Sequence, residues 1–158
     1  MFRLDRNAAK WGNGLIQKKG PGPIKIEFDL YYIYLIVGLG LGRTESLSEQ
    51  DSDSKELIRY YPKAYQSVRH RIATLLLYCD LKASSFDINH KKIVKSKIEE
   101  ILSADSVILL SDDSCKQLNN YANGGFEAIR EELVNPPSDS ALFLIYVYET
   151  FFHKMFKN

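Results

Sequence analysis

Hydrophobic positions along the chain fall into blocks separated by Gly, Pro and acidic stretches, and the spacing within each block predicts an element. Behind Pro62, a residue suited to the first turn of a helix, Tyr65, Val68, Ile72, Leu75, Leu76 and Leu81 recur at three- and four-residue intervals and predict the clearest helix. Ile93, Val94, Ile98, Ile101 and Leu102 repeat that spacing behind Asp87 or Asn89 as the cap, with Lys91, Lys92, Lys95 and Lys97 directed outward. Ser111 or Asp112 caps a further helix through Leu118 and Tyr121. Asn123-Gly-Gly125 interrupts it, Phe126 to Leu133 resumes it, and Asn135-Pro-Pro-Ser138 stops it. Ser138 or Asp139 then opens a last helix from Ala141 to Lys157.

The N-terminal part is less regular. Met1 to Leu4 reads as a short strand or extended arm, and Asp5 or Asn7 caps a helix bearing Ala8, Ala9, Trp11, Leu15 and Ile16, weakened by Gly12 and Gly14. Gly20-Pro-Gly-Pro23 stops it. A helix restarts near Glu27, where Glu27 and Asp29 suit the positive end of a helix dipole, and runs through Val37. That segment is apolar nearly all round, so it lies at the centre of a core or against another subunit. Its β-branched and aromatic content also permits a buried strand, and helix is the preferred reading. Gly38-Leu-Gly-Leu-Gly42 ends it, and Arg43 to Glu56 is read as a mobile acidic loop. Val107 to Leu110 is either a strand paired with the N-terminal arm or an apolar connector. The sum is a mainly α, single-domain bundle of about six helices over residues 1–158, with room for a short β-pair.

Composition supports a folded core: of 158 residues, 45% are hydrophobic, and ten Tyr and eight Phe argue against disorder. The net charge of +1 removes whole-molecule attraction as an argument for a nucleic-acid partner and leaves only local patches. Those exist. Residues 1–26 hold Arg3, Arg6, Lys10, Lys18, Lys19 and Lys25 against Asp5, whereas 43–56 holds Glu45, Glu49, Asp51, Asp53 and Glu56 against Arg43 and Lys55. Cys79 and Cys115 form no ligand-spaced cluster, which favours a reducing compartment, the cytoplasm by default. The charged, Gly- and Pro-broken N-terminus is not read as a secretory leader. The longest apolar run, Leu30 to Leu41, is short of the roughly 20 residues a bilayer requires, so no membrane partner is expected.

Candidate chemistry narrows the field further. Cys79 sits in an apolar stretch and Cys115 has no His near it in sequence, so both read as packing. His70, His90 and His153 lack zinc-ligand spacing, Glu149 and His153 read as a surface pair, and Glu99-Glu100 and Glu131-Glu132 as solvated faces. The Gly38-x-Gly-x-Gly42 run lacks the register and the strand-to-helix setting of a phosphate loop. Asn123-Gly-Gly-Phe126 is an interhelical turn or, alternatively, a helix start offering N–H groups to an anion. No catalytic, cofactor or metal residue is assigned, and no enzymatic activity is expected. Candidate phosphate contacts are Arg3, Arg6, Lys10, Lys18, Lys19, Arg69, Arg71, Lys91, Lys92 and Lys95, against the alternative of solvated helix faces. Candidate interface anchors are Tyr31, Tyr34, Phe143, Tyr146, Phe151 and Phe152.

The order Phe2-Arg-Leu-Asp5, a short helix ending at Lys18-Lys-Gly20 and an apolar helix beginning Phe28-Asp-Leu30 resembles the opening of DndE, the small helical subunit of bacterial DNA phosphorothioation systems. Leu118-Asn-Asn-Tyr-Ala-Asn-Gly-Gly-Phe126 is similar to the Asn- and Gly-containing stretch before that family's closing helix. The long acidic loop and the apolar C-terminal helix depart from the family's pattern. The resemblance implies an all-helical, self-associating protein that contacts DNA through basic residues, here Arg3, Lys18 and Lys19, while other subunits supply ATPase and sulfur chemistry. The leading expectation is a non-catalytic, DNA-associated accessory subunit of a prokaryotic DNA-modification or phage-defence complex, with ATPase, nuclease or modification subunits as partners. The competing one is an interaction adaptor or scaffold without direct DNA contact.

Overall fold

Two helices, α2 (Glu27–Leu41) and α5 (Asp112–Glu132), form the centre of the molecule, and small residues set how closely they meet. The computed structural model describes residues 1–48, 50, 52–85 and 89–153. A Cβ on Gly38 would stand 1.9 Å from the Tyr121 carbonyl oxygen, and one on Gly125 1.9 Å from that of Tyr34. The two backbones therefore touch along a seam that only glycine admits. The same seam overturns one expectation from sequence: Asn123-Gly-Gly125 does not interrupt α5, which runs unbroken from Asp112 to Glu132. Each helical glycine costs about 1 kcal/mol in propensity, and close packing against α2 offsets that cost. Gly38 likewise stays helical, and α2 ends only at Gly42, whose φ of 63° is the left-handed conformation of a helix terminus.

Around this pair the chain is mainly helical with a two-stranded antiparallel sheet. Its elements in order are β1 (Phe2–Asp5), α1 (Arg6–Gly12) with a 3-10 turn Asn13–Leu15, α2, β2 (Ser54–Ile58), a 3-10 turn Lys63–Val68, α3 (Arg69–Ala83), α4 (Lys91–Ile101), α5 and α6 (Ser140–Val147). A π-helical turn, Tyr148–Phe152, follows α6. Caps fall where short polar side chains were expected: Asp5 accepts from the Asn7 and Ala8 N–H groups, Ser111 from Ser114, and Asp139 from Ala141 and Leu142. At the head of α2 the Asp29 carboxylate accepts from the Lys25 and Ile26 N–H groups at 2.6 and 3.0 Å. His90, and not the expected Asn89, occupies the cap position of α4, without a side-chain bond. Asp87, the alternative cap, and the end of the last helix near Lys157 lie outside the described residues.

The partner of β1 is β2, with Leu4 opposite Lys55 and Asp5 opposite Ser54, and not Val107 to Leu110. Within the latter, Leu110 makes a single antiparallel bridge to Leu102. The segment 43–56, expected as a mobile acidic loop, therefore carries a strand from Ser54 onward. Its described beginning is also fastened. Asn120 accepts the Glu45 N–H on its backbone carbonyl and the Leu47 N–H on its side chain, and the Asn123 amide donates to the Ser46 carbonyl. Arg43 forks onto the Glu131 carboxylate at 2.6 and 2.7 Å. Glu49 and Asp51 lie outside the described residues.

The core beneath β1 is aromatic, with Phe2 packed against Phe28, Tyr31 and Tyr61 at centroid distances of 4.8 to 5.5 Å. Trp11 packs against Phe126 and Phe143 and donates its indole N–H to the Val134 carbonyl at 3.0 Å, so α1 is bound to the end of α5 and to α6.

Candidate nucleic-acid interface

Asp5 caps α1 immediately after β1, so the helix leaves the sheet with Arg6 and Lys10 four residues apart on one face. Gly12 lies against Leu30 and Tyr34, which seats α1 on α2 and turns that face toward the start of α2. The loop after the 3-10 turn is pinned by the buried Leu15 and Ile24 and by the Gln17 N–H bonding the Ile24 carbonyl at 2.8 Å, so Lys18 projects from a fixed stem. Antiparallel register then sets Lys55 of β2 opposite Leu4 and beside these groups.

The result is two adjoining surface depressions. One, of about 350 Å³, is lined by Arg6, Ala9, Lys10, Asn13, Glu27 and Lys55. The other, of about 620 Å³, is lined by Asn13, Ile16, Lys18, Ile26, Glu27 and Lys55. They share Asn13, Glu27 and Lys55. Four cations thus border adjoining depressions, and among the described residues that line them the Lys55 ammonium holds the Glu27 carboxylate at 2.5 and 2.7 Å. Lys19 is exposed next to Lys18 but lines neither depression.

The other basic candidates lie elsewhere. Arg3 donates its Nε to Ser54 Oγ at 2.9 Å and lines a separate pocket of about 320 Å³ with Asp112, Cys115, Lys116 and Asn119. Arg69 and Arg71 stand at the head of α3. Lys91, Lys92 and Lys95 are exposed on α4, which packs on α3 and α5, whereas α1 packs on β1 and β2. Lys97, read as outward, instead bridges Asp80 at 3.1 Å and Glu100 at 2.8 Å. Of the ten predicted cations, Arg6, Lys10 and Lys18 share a surface. Lys55 joins them without having been foreseen, because its neighbours in sequence are acidic and only the strand register reveals its place.

The predicted interface anchors divide sharply. Tyr31, Tyr34, Phe143 and Phe151 are buried in the chain's own core, and the Tyr31 hydroxyl bonds Asn119 Oδ1 at 3.0 Å. Tyr146 and Phe152 are half-buried. What α6 turns outward is Leu142, Ile145 and the following Tyr148, each more than half exposed. Phe152, one turn further on, borders an apolar groove of about 770 Å³ with Ile36, Leu41, Leu75 and Tyr78.

Neither cysteine lines the two depressions. Burial pushes the Cys79 and Cys115 thiols up, away from the thiolate a nucleophile requires. Cys79 donates to the Leu39 carbonyl, and Cys115 accepts from the Met1 amine at 3.0 Å. His153 lies 3.3 Å from Glu149. Among the described residues no group of three His, Cys, Asp or Glu side chains converges as metal ligands, and no helix is long and apolar enough to cross a membrane. No family model, curated protein or solved structure matches the chain.

Proposed function

We propose that this chain is a non-catalytic, DNA-associated accessory subunit that holds a phosphate backbone against the surface bordered by Arg6, Lys10, Lys18 and Lys55. The observation that carries the reading is the convergence of those four cations, from α1, the following loop and β2, around two shared depressions. Phosphates are spaced regularly along a duplex, and cations fixed on a rigid surface match them better than scattered lysines. Ala9, Ile16 and Ile26 add apolar lining, and among the described residues no aromatic side chain lines either depression, which favours backbone contact over base stacking. The chemistry of the assembly then belongs to ATPase, nuclease or modification subunits in the cytoplasm. The likeness to DndE points to a prokaryotic DNA-modification or phage-defence setting.

Fluorescence anisotropy with duplex, nicked and single-stranded DNA at low salt tests this. Binding with an affinity that falls linearly on a log–log salt plot, lost together in a Lys10→Glu, Lys18→Glu double variant that keeps its circular dichroism, is the expected result. Failure to bind all three DNA forms would sink the reading.

A second reading, an adaptor without DNA contact, is favoured by one observation: the apolar stripe Leu142, Ile145 and Tyr148 on the outer face of α6. Light scattering and co-purification test it. A strictly monomeric chain that retains no defined partner counts against it.

A further inference from the structure

We infer that the groove between the ends of α2 and α3 is a binding site for a small amphipathic carboxylate, its anionic head at Lys82 and Tyr121 and its apolar body along the groove. The site shares no residue with the two cationic depressions and stands independently of the DNA reading. Its volume of about 770 Å³ lies within the range of about 300–1,000 Å³ that small-molecule sites occupy. The walls are Ile36, Leu39 and Leu41 of α2, Leu75 and Tyr78 of α3, and Phe152. Leu41, Leu75 and Tyr78 are 46%, 40% and 54% exposed, so much of this apolar wall faces solvent. Phe152 reaches the groove from the π-helical turn after α6, a rare geometry that recurs at functional sites.

The polar groups gather at one end. Cys79 and Lys82 stand three residues apart on one face of α3, and the Lys82 charge and the Tyr121 hydroxyl both lie within electrostatic reach of the Cys79 thiol. That thiol already donates to the Leu39 carbonyl. Tyr121 is 4% exposed, yet among the described residues its hydroxyl has no hydrogen-bond partner. Burial, with Cys79 and Asp80 nearby, pushes the phenol up, so it remains a donor. Lys82 is the only charged residue lining the groove, and among the described residues it has no ion-pair partner. Asp80 does not line the groove and is held by Lys97 at 3.1 Å. An ammonium and an unused O–H donor at one end of an apolar trough match a carboxylate on an apolar chain. A cationic compound would meet Lys82 as a like charge, and a wholly apolar one would leave the Tyr121 O–H covered without a partner.

Decanoate is the probe, titrated calorimetrically into the full chain alongside decylamine and decanol. Saturable binding of decanoate is expected, with decylamine at least about tenfold weaker. Lys82→Gln should weaken decanoate about fivefold, the scale of one exposed ion pair, and leave decanol unchanged. The isosteric Tyr121→Phe should weaken decanoate about threefold, one neutral hydrogen bond. Leu75→Glu, a change at an exposed wall position, should abolish decanoate binding while circular dichroism stays that of the parent. Amide chemical shifts of residues 39–42 and 78–82 should move as decanoate binds. Absence of saturable decanoate binding would overturn the inference. So would equal affinity in the parent and Leu75→Glu, which would place the ligand elsewhere, or decylamine binding as tightly as decanoate, which would refute the polarity of the site. Self-association that Leu75→Glu abolishes, in a chain that takes up no decanoate, would assign the groove to a second copy and overturn it as well.

Discussion

Helices α5 and α6 invert the usual relation between composition and burial. The middle of α5 reads Asn119-Asn-Tyr-Ala-Asn-Gly-Gly125, polar and glycine-rich, yet Asn119 and Asn123 are 5% and 6% exposed and both glycines are buried. Across Ala141 to Val147, α6 has no polar residue except the Tyr146 hydroxyl, yet Leu142 and Ile145 are 59% and 58% exposed. Backbone approach explains the difference. Gly38 and Gly125 let α2 and α5 touch, and Gly124 lies under the Arg43 carbonyl, so two sides of α5 are covered by main chain. The asparagines then serve as hydrogen-bonding partners for what covers them. Asn119 accepts from the Arg3 N–H and the Tyr31 hydroxyl and donates to the Met1 carbonyl, while Asn120 and Asn123 hold residues 45–47. On α6 only the face bearing Phe143 and Val147 reaches the core, a face continued by Phe151.

The comparison is broken most severely at the seam. Gly125→Ala places a methyl group 1.9 Å from the Tyr34 carbonyl oxygen, a backbone atom that yields only if α2 moves as a whole. Overpacking of a core costs about 1–3 kcal/mol where side chains can shift, and more where they cannot. The expected loss is at least about 3 kcal/mol, read as a lowered urea midpoint, against a gain from alanine's helix propensity of only about 1 kcal/mol. A midpoint equal to or above that of the parent would refute the close approach.

An intermediate effect is expected nearly two turns earlier in α5. Asn119→Ala leaves the Arg3 N–H, the Tyr31 hydroxyl and the Met1 carbonyl without the partner each has here. A buried polar group stripped of its bond costs about 1–3 kcal/mol. The loss should be local to the sheet edge as well as global, so hydrogen exchange at Arg3 and across β1 should accelerate more than across α3. Uniform acceleration would show instead that Asn119 stabilises the domain only as a whole.

The same contrast marks what a single sequence discloses. Caps at Asp5, Ser111 and Asp139 were legible because a short polar side chain before a periodic apolar block has a local cause, and so was α3, although a 3-10 turn follows Pro62 and the α-helix begins only at Arg69. The continuity of α5 was not, since glycine's local meaning is interruption and its value here lies in a distant helix, where Gly125 meets the Tyr34 carbonyl of α2. The faces of α2 and α6 were illegible for a different reason. A helix apolar all round carries no stripe to orient it, so Tyr31, Tyr34, Phe143 and Phe151 could be assigned outward when they point in. The cationic surface was half legible: Arg6, Lys10 and Lys18 are close in sequence, whereas Lys55 and Glu27 join them only through strand register and the seating of α1 on α2.

The smallest effect is the most informative about α6. Leu142→Ser with Ile145→Ser alters two side chains that α6 turns to solvent, so each change should shift stability by no more than about 0.5 kcal/mol. The neighbouring Phe143→Ala, on the inner face against Trp11, should cost about 3–5 kcal/mol. A difference of at least about sixfold between adjacent residues of one uniformly apolar helix is what a one-sided burial requires. Thermal unfolding of the isolated chain at two concentrations separates the possibilities. If the serine variant matches the parent at both, the outer face does no stabilising work in the single chain. If it loses stability only at the higher concentration, the outer face is covered by association. A loss of several kcal/mol at both concentrations would mean that Leu142 and Ile145 are buried within the chain itself, and the contrast between α5 and α6 would collapse.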